Sequence, residues 1–430
     1  MFSRAQVKVC LSRSCDKLTR RRVMLDLKIL IAQICVILVA SYSVGWLLSK
    51  IRQPQVVGEM VAGILLGPSL LGWLAPQFSA SLFPAQSLDV LNGLSQIGLA
   101  LFMFLVGLEV DRNNLRKLGH AAVAISQASI IMPFVLGGLL AWFLYPRLSD
   151  SSVPFAGFLL FMATAMSVTA FPVLARILNE QGLLRTKVGT IAIACAAVDD
   201  VTAWCLLAIM IAVVRSSLHP AALWPLLAAL VIYLPLMFFV ARPLLAKLGP
   251  KITPLQNGIL ILFILASSLA TEALGLHLLF GAFIAGLVMP SREVVVDEVR
   301  SKFGALPVAL FLPLFFALTG LRTNITVISD RQSLLYCLLI IAVAVAGKLG
   351  GSLIAARAMR LPWRDATAIG ILLNTRGLIE LVMLNIGLDL GVISKPLFSM
   401  MVLMAIVTTL MTGPALALFG YHGARATVDE

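Results

Sequence analysis

The sequence predicts an all-α protein that crosses a lipid bilayer many times. Of its 430 residues, 60% are hydrophobic and only 12% are charged, a composition unlike that of water-soluble globular chains. The apolar residues form runs of roughly 17 to 25 between charged or Pro/Gly-rich breaks, which is the length a helix needs to cross a membrane. The connecting segments are short and leave no room for a second folded domain.

Thirteen such runs can be recognised, of which the second and ninth are short. They begin near Leu27, Gln55, Leu88, Gly119, Phe155, Val188, Ala221, Pro254, Leu278, Ala305, Gln332, Ala366 and Pro396. We therefore expect about thirteen transmembrane helices in a domain at 27–418. A basic amino-terminal tail at 1–26 precedes this domain, and a short cytoplasmic tail at 419–430 follows it.

Basic residues in the loops alternate with the predicted spans. Loops that follow odd-numbered spans carry 17 Lys and Arg residues, and loops that follow even-numbered spans carry five. Because basic loops stay in the cytoplasm during insertion, this asymmetry predicts a cytoplasmic carboxyl end. It also accounts for the net charge of +13 without a nucleic-acid partner. We expect an integral protein of a bacterial inner membrane.

The amino-terminal segment disagrees with this orientation. Eight basic side chains lie between Met1 and Lys28, yet thirteen spans place the amino end outside. Two explanations remain open. Either translation begins at Met24, which leaves a nearly neutral tail, or the acid-poor leader is a targeting segment that is removed.

Two adjacent aspartates, Asp199 and Asp200, are the most informative residues of the chain. They lie midway along the stretch from Val188 to Val214, which has no other charged side chain. A carboxylate in mid-membrane costs roughly 2.5 to 3.5 kcal/mol on insertion scales, so the pair indicates a functional site. Successive helix residues point about 100° apart, so one carboxylate can face a cavity while the other faces a neighbouring helix. The structural alternative is a pair neutralised by helix contacts alone.

A buried carboxylate backed by hydroxyl and carbonyl oxygens can bind a sodium or potassium ion as well as a proton. The proton and the cation then compete for one negative site, which we predict to be formed by Asp200 together with Asp199. Such competition, combined with access to one side of the membrane at a time, produces exchange without hydrolysis.

Spans five and twelve contain helix-breaking chemistry in mid-membrane. Span five carries Thr164, Ser167, Thr169 and Pro172, and span twelve carries Asn374, Thr375, Arg376, Gly377 and Glu380. The spans are seven apart, an odd number, so they run in opposite directions, as equivalent helices do in inverted five-helix repeats. We expect repeat one at about 55–214, a linking span at about 221–241 and repeat two at about 278–418, with two discontinuous helices that cross. Alternatively, Pro172 only kinks a continuous helix.

Four runs of the sequence resemble the monovalent cation:proton antiporter-2 family. They are SVTAFPVLARIL (167–178), AAVDDVTAW (196–204), LHLLFGAFIAGLVMP (276–290) and NTRGLIEL (374–381). The likeness covers about 27–418 and is strongest to plant cation/proton exchangers and their bacterial relatives. It implies thirteen spans, crossed unwound helices and a homodimer, with Asp200 as the residue that binds the ion and carries the proton. Asp199 stands where many plant-type members have asparagine, so their electroneutral potassium exchange is not implied.

Lys348 is the only charged residue between Gln332 and Ala356. The resemblance places it opposite the first aspartate, and a buried ammonium needs such a partner, so we expect a pair with Asp199. This pair is either broken during transport or a permanent strut. Arg376 and Glu380 are four residues apart, so they either pair with each other or Arg376 balances charge at the helix crossing.

The sequence favours a secondary active antiporter that exchanges sodium or potassium ions for protons by alternating access. P-loop and Ser/His/Asp arrangements are absent, and adjacent aspartates do not fit an intramembrane aspartyl protease, so we expect neither an enzyme nor a cofactor. A gated monovalent-cation channel and a non-transporting membrane sensor remain as alternatives. A channel would pass cations without needing protons, whereas an exchanger must move the two in opposition.

Overall fold

A computed structural model describes residues 4–51, 53–109, 120–149, 153–184, 186–218, 231–249, 252–274, 276–290 and 292–421. Nearly all of this described chain is helical. The predicted start of span seven at Ala221 and most of the predicted carboxyl-terminal tail lie outside these residues.

The helices are numbered α1 to α18 in chain order. The first nine are α1 (Arg4–Lys50), α2 (Gln55–Leu66), α3 (Leu71–Leu74), α4 (Pro76–Leu82), α5 (Ala85–Glu109), α6 (His120–Leu148), α7 (Phe155–Ser167), α8 (Phe171–Glu180) and α9 (Lys187–Leu218). The others are α10 (Arg242–Leu245), α11 (Pro254–Ala273), α12 (Leu278–Leu287), α13 (Glu293–Phe303), α14 (Leu312–Arg322), α15 (Arg331–Ala358), α16 (Trp363–Leu373), α17 (Leu378–Asp389) and α18 (Lys395–Leu418). Two π-helical turns, Leu236–Ala241 and Pro307–Phe311, lead into α10 and α14.

The described helices provide ten segments that are long and apolar enough to cross a membrane. An eleventh is formed if α13 and the helix Pro307–Arg322, which meet at a 47° bend, count as one span. The two remaining predicted spans correspond to shorter apolar helices, Val231–Leu245 and Leu278–Leu287. The all-helical membrane fold is therefore confirmed, whereas the number thirteen stays a prediction.

Polar residues set the beginnings of several long helices. The Thr253 hydroxyl accepts the backbone N–H of Gln256, whose side chain accepts the N–H of Thr253, so α11 begins with a complete capping box. Asp330 accepts the Ser333 N–H at 2.9 Å before α15. These caps satisfy helix N–H groups that have no partner within the helix, so each helix begins where the loop supplies an acceptor.

Spans five and twelve are both broken. Non-helical backbone separates α7 from α8 at 168–170 and α16 from α17 at 374–377. Pro172 lies in the first turn of α8, where a helix needs no N–H, so it begins a second half-helix and does not kink a continuous one. The Ala170 N–H donates to the Thr375 carbonyl at 3.1 Å, and this bond joins the two breaks.

Small residues let α6 and α15 approach closely beside these breaks. A Cβ built on Gly351 would lie 2.5 Å from the Ala128 carbonyl oxygen, and one built on Gly347 would lie 2.8 Å from Pro133. Both distances are too short for a real side chain. Lys348 lies between the two glycines on α15 and is fully buried.

Two other helix pairs approach equally closely, α2 with α14 and α5 with α12. A Cβ on Gly63 would lie 2.3 Å from the Ala317 carbonyl oxygen. On α5, a Cβ on Gly107 would lie 2.2 Å from the Phe283 carbonyl oxygen, and on α12 one on Gly286 would lie 2.0 Å from that of Phe104. In the α5–α12 pair, a glycine on each helix thus lies against the backbone of the other helix.

Candidate functional site

Asp199 lies inside the protein and has hydrogen-bond donors around both carboxylate oxygens. Its residue surface is 1% exposed. Ser126 Oγ donates to Oδ1 at 2.6 Å, and Thr169 Oγ1 donates to Oδ2 at 2.7 Å. Ser129 Oγ lies 2.9 Å from Oδ2. A carboxylate in a medium of low dielectric is stable only when it is paired and bonded in this way.

Lys348 is the cation that faces Asp199. Its Nζ lies 3.3 Å from Asp199 Oδ2 and 2.5 Å from Thr169 Oγ1, and the lysine is fully buried. Because the ammonium donates to the threonine oxygen, the threonine hydroxyl proton is free to point at the carboxylate. The three groups therefore form a connected network that links α15, the break in span five and α9.

Asp200 has a very different environment, although it is the next residue. Its carboxylate points toward the beginning of α8, where Oδ1 accepts the Phe171 N–H at 3.3 Å. Oδ2 is buried and has no hydrogen-bond partner among the described residues. The amino end of a helix carries a partial positive charge, so α8 directs an N–H group at Oδ1, whereas Oδ2 receives no hydrogen bond from the described residues.

Two further oxygens near the crossing are also buried without a partner in the described chain. They are Asn374 Oδ1 and Thr375 Oγ1, which belong to the break in span twelve. The Ala170–Thr375 backbone bond joins this break to the residue that precedes α8. Buried polar atoms are nearly always satisfied in native proteins, so unpaired oxygens at one crossing indicate a place that takes up a polar guest.

Arg376 binds the end of the other half-helix. Its guanidinium donates to the carbonyl oxygens of Ala165 at 2.9 Å and Met166 at 2.7 Å, in the last turn of α7. It also lies 3.2 Å from Glu380 Oε1, and both side chains are fully buried. Both roles considered for Arg376 from the sequence are thus present together, since it pairs with Glu380 and neutralises the negative carboxyl end of α7.

Thr164 and Ser167 lie in the last turns of α7, but their hydroxyls do not contact the aspartates. Thr164 Oγ1 donates to the Leu160 carbonyl at 2.7 Å, and Ser167 Oγ donates to the Thr164 carbonyl at 2.8 Å. Such bonds to the same helix are common for serine and threonine. Of the three hydroxyl residues predicted in span five, only Thr169 reaches an aspartate.

Ser126 and Ser129 were not among the residues predicted from the sequence. They are three residues apart on α6, so they share one face of the helix. A signal was present in the apolar span, since two small polar residues at this spacing precede Pro133. Serine in a membrane helix is too common to single out a site without knowing which helix lies opposite.

The arrangement distinguishes the two carboxylates: both oxygens of Asp199 accept hydrogen bonds, whereas Oδ2 of Asp200 accepts none from the described residues. Crossed discontinuous helices with buried charges and unpaired oxygens at their meeting point define a secondary transporter of ions. Residues 36–420 match the transmembrane sodium/hydrogen exchanger family. The chain belongs to this family.

Relatives of known name support this assignment. The Na+/H+ antiporter NhaS4 of Synechocystis is 42% identical over 396 residues, which are 90% of this chain and 96% of the relative. Cation/H+ antiporter 17 of Arabidopsis thaliana is also 42% identical over 90% of this chain, and the K+/H+ antiporter 1 of Saccharomyces cerevisiae is 33% identical over 90%. The chain spans about half the length of the plant and yeast relatives, at 48% and 46%.

A solved structure shares the fold. The sodium/proton antiporter of Methanocaldococcus jannaschii, in its structure at pH 8, matches with a TM-score of 0.56 over 92% of this chain and 98% of that one. Only 13% of the aligned residues are identical, so the likeness concerns the fold.

Proposed function

We propose that this protein exchanges a monovalent cation, Na+ or K+, for protons across a membrane, with both competing for Asp200. The observation that carries the proposal is the buried Asp200 carboxylate at the amino end of α8, which has one oxygen unpaired. Membership of the sodium/hydrogen exchanger family and the names of the relatives support it. Because relatives are named for either cation, both ions are included.

The cation takes oxygen ligands when it sheds water. Asp200 supplies the negative charge, and the unpaired oxygens of Asn374 and Thr375 are neutral ligands at the same crossing. A proton on Asp200 removes the charge that holds the cation, so the two substrates exclude each other. Asp199 lies beside Lys348 and pairs with it, which supports the strut role of that pair.

Alternating access follows in this proposal from motion of a core against a scaffold. The core contains the two broken spans with α6, α9, α15 and α18, and the scaffold contains α2, α5, α12 and α14. Helix contacts support inverted repeats at about 55–214 and 278–418, because the first helix of each repeat packs on the second of the other: α2 on α14, and α12 on α5. The linking span at 221–241 and a homodimer belong to the same proposal.

The apolar helices and the family make this an integral multi-pass membrane protein. We assign it to a bacterial inner membrane with a cytoplasmic carboxyl end. The excess of 17 basic residues over five in alternate loops supports this orientation.

Everted vesicles that hold a proton gradient provide the test. Adding Na+, K+, Rb+ or Li+ separately should collapse the gradient for the transported ion. Asp200→Asn should reduce that response more than tenfold, while the matched control Asp330→Asn, at an exposed helix start, should retain it. If no cation shifts the gradient at any pH, exchange is disproved. If cation flux persists without counterflow of protons, the channel alternative is correct.

A further inference from the structure

Two serine hydroxyl groups on α6 hold the Asp199 carboxylate. Neither serine stands out in the charge pattern of the sequence. Ser126 Oγ lies 2.6 Å from Oδ1 and Ser129 Oγ lies 2.9 Å from Oδ2. Both serines are 0% exposed. Lys348 and Thr169 contact only Oδ2, so Ser126 provides the only described hydrogen bond to Oδ1.

The two serines differ in how firmly they donate. A hydroxyl has one proton, and Ser129 Oγ also lies 2.8 Å from the Ser126 carbonyl oxygen, so its proton is divided between that carbonyl and the carboxylate. Ser126 has Asp199 as its acceptor at a distance typical of a charge-assisted bond. We therefore expect Ser126 to contribute more than Ser129.

We infer that Ser126 and Ser129 are positioning residues that keep Asp199 turned toward α6, so that Asp200 alone supplies the carboxylate oxygen that binds the transported cation. This inference rests on the proposed function. With both serines present, each Asp199 oxygen has a protein donor, whereas Asp200 Oδ2 has none in the described chain. Without the hydroxyls, Oδ1 would be a buried anionic oxygen next to the ion site, and the cation would satisfy it.

The prediction concerns how tightly the ion is held. Two carboxylates around one cation should bind it more tightly and release it more slowly. In reconstituted vesicles, Ser126→Ala/Ser129→Ala should lower the apparent KM for the cation about tenfold and lower the maximal rate. Ser95→Ala is the matched control, because Ser95 is equally buried but donates to Asn92 of its own helix. It should change neither quantity.

A second measurement separates positioning from a general packing defect. Cation binding is followed in detergent by the rise in melting temperature with added Na+ or K+, which needs no transport. In an Asp199→Asn background the serine substitutions should leave cation affinity unchanged, because no carboxylate remains to be released. Ser126→Thr keeps the hydroxyl and should retain the KM of the unchanged protein.

The outcomes distinguish the inference from the function. If the unchanged protein and Ser95→Ala exchange ions but the double serine variant has the same KM, the inference is wrong and the proposed function stands. An equal affinity change in the Asp199→Asn background also overturns it. If the unchanged protein exchanges no ion, both fail. Should the double variant not fold, Ser126→Ala alone must show a shift in the same direction, because Ser126 provides the only described hydrogen bond to Oδ1.

Discussion

Replacing Arg376 with methionine should destabilise the protein strongly, because three hydrogen bonds from one buried guanidinium are lost. Two of these bonds cross to the Ala165 and Met166 carbonyls of α7, and one reaches Glu380. Hydrogen bonds between membrane helices average about 0.6 kcal/mol, so the two crossing bonds alone give about 1 kcal/mol. A buried charge left without its partner raises the cost to about 3 to 5 kcal/mol. Glu380 is fully buried, and its Oε2 already has no hydrogen-bond partner among the described residues, so we expect the larger value.

The assay is thermal unfolding in detergent, monitored by the amount of protein that stays monodisperse. For a chain of this size a loss of 3 to 5 kcal/mol corresponds to a fall of about 5 °C in melting temperature. Glu380→Gln should cost less, since Arg376 keeps its two carbonyl acceptors. Arg376→Met/Glu380→Gln should be more stable than Arg376→Met alone, because the abandoned charge is gone. If the double variant is as unstable as Arg376→Met, the abandoned carboxylate is not the source of the loss and the reasoning fails.

Two further predictions concern α15. Gly351→Ala should destabilise the protein by about 1 to 3 kcal/mol and slow exchange, because its Cβ would lie 2.5 Å from the Ala128 carbonyl oxygen and push α15 from α6. Gly350→Ala, which meets nothing within 4 Å, is the matched control, and equal melting temperatures for the two would contradict the packing argument. Hydrogen bonds from Ser333 keep the pKa of Asp330 below its ordinary value, so the stability it gives to the start of α15 is present above about pH 4 and is lost as the pH falls below that. The protection of the first-turn amides of α15 against hydrogen exchange, relative to their intrinsic rates, should fall in acid. This pH dependence should be lost in Asp330→Asn. If the variant shows the same acid response, another group is its source.

The sequence alone was sufficient for the features that depend on the cost of charge in a membrane. Asp199, Asp200 and Lys348 stand out because apolar spans rarely contain such residues, and the structure brings Asp199 and Lys348 together. The breaks in spans five and twelve could also be predicted, because Pro172 and Gly377 disfavour a continuous helix. The division of the two aspartates between different neighbours follows from the 100° turn between adjacent helix residues.

Hydroxyl groups were harder to assign, because their role depends on rotation and on the opposite helix. Thr164 and Ser167 were predicted to belong to the region that supports the ion site, but their hydroxyls bond to their own helix. Ser126 looked ordinary, yet makes the shortest bond to Asp199. The number of spans was uncertain for a similar reason. A ten-residue helix such as α12 is too short to be recognised as a span from its hydropathy, but packing against neighbouring helices can hold it at membrane depth.

The glycine contacts of α5 with α12 and of α2 with α14 restrict how the protein can change shape. Helices that touch through their backbones cannot slide along each other by a turn, because the next residue would bring a side chain into the carbonyl oxygen. The two helices of each pair must therefore move together as one rigid unit. The conformational change of the transport cycle has to occur at helix interfaces lined by side chains, because side chains can change rotamer. A cross-link between the two helices of one such pair should therefore leave this conformational change intact.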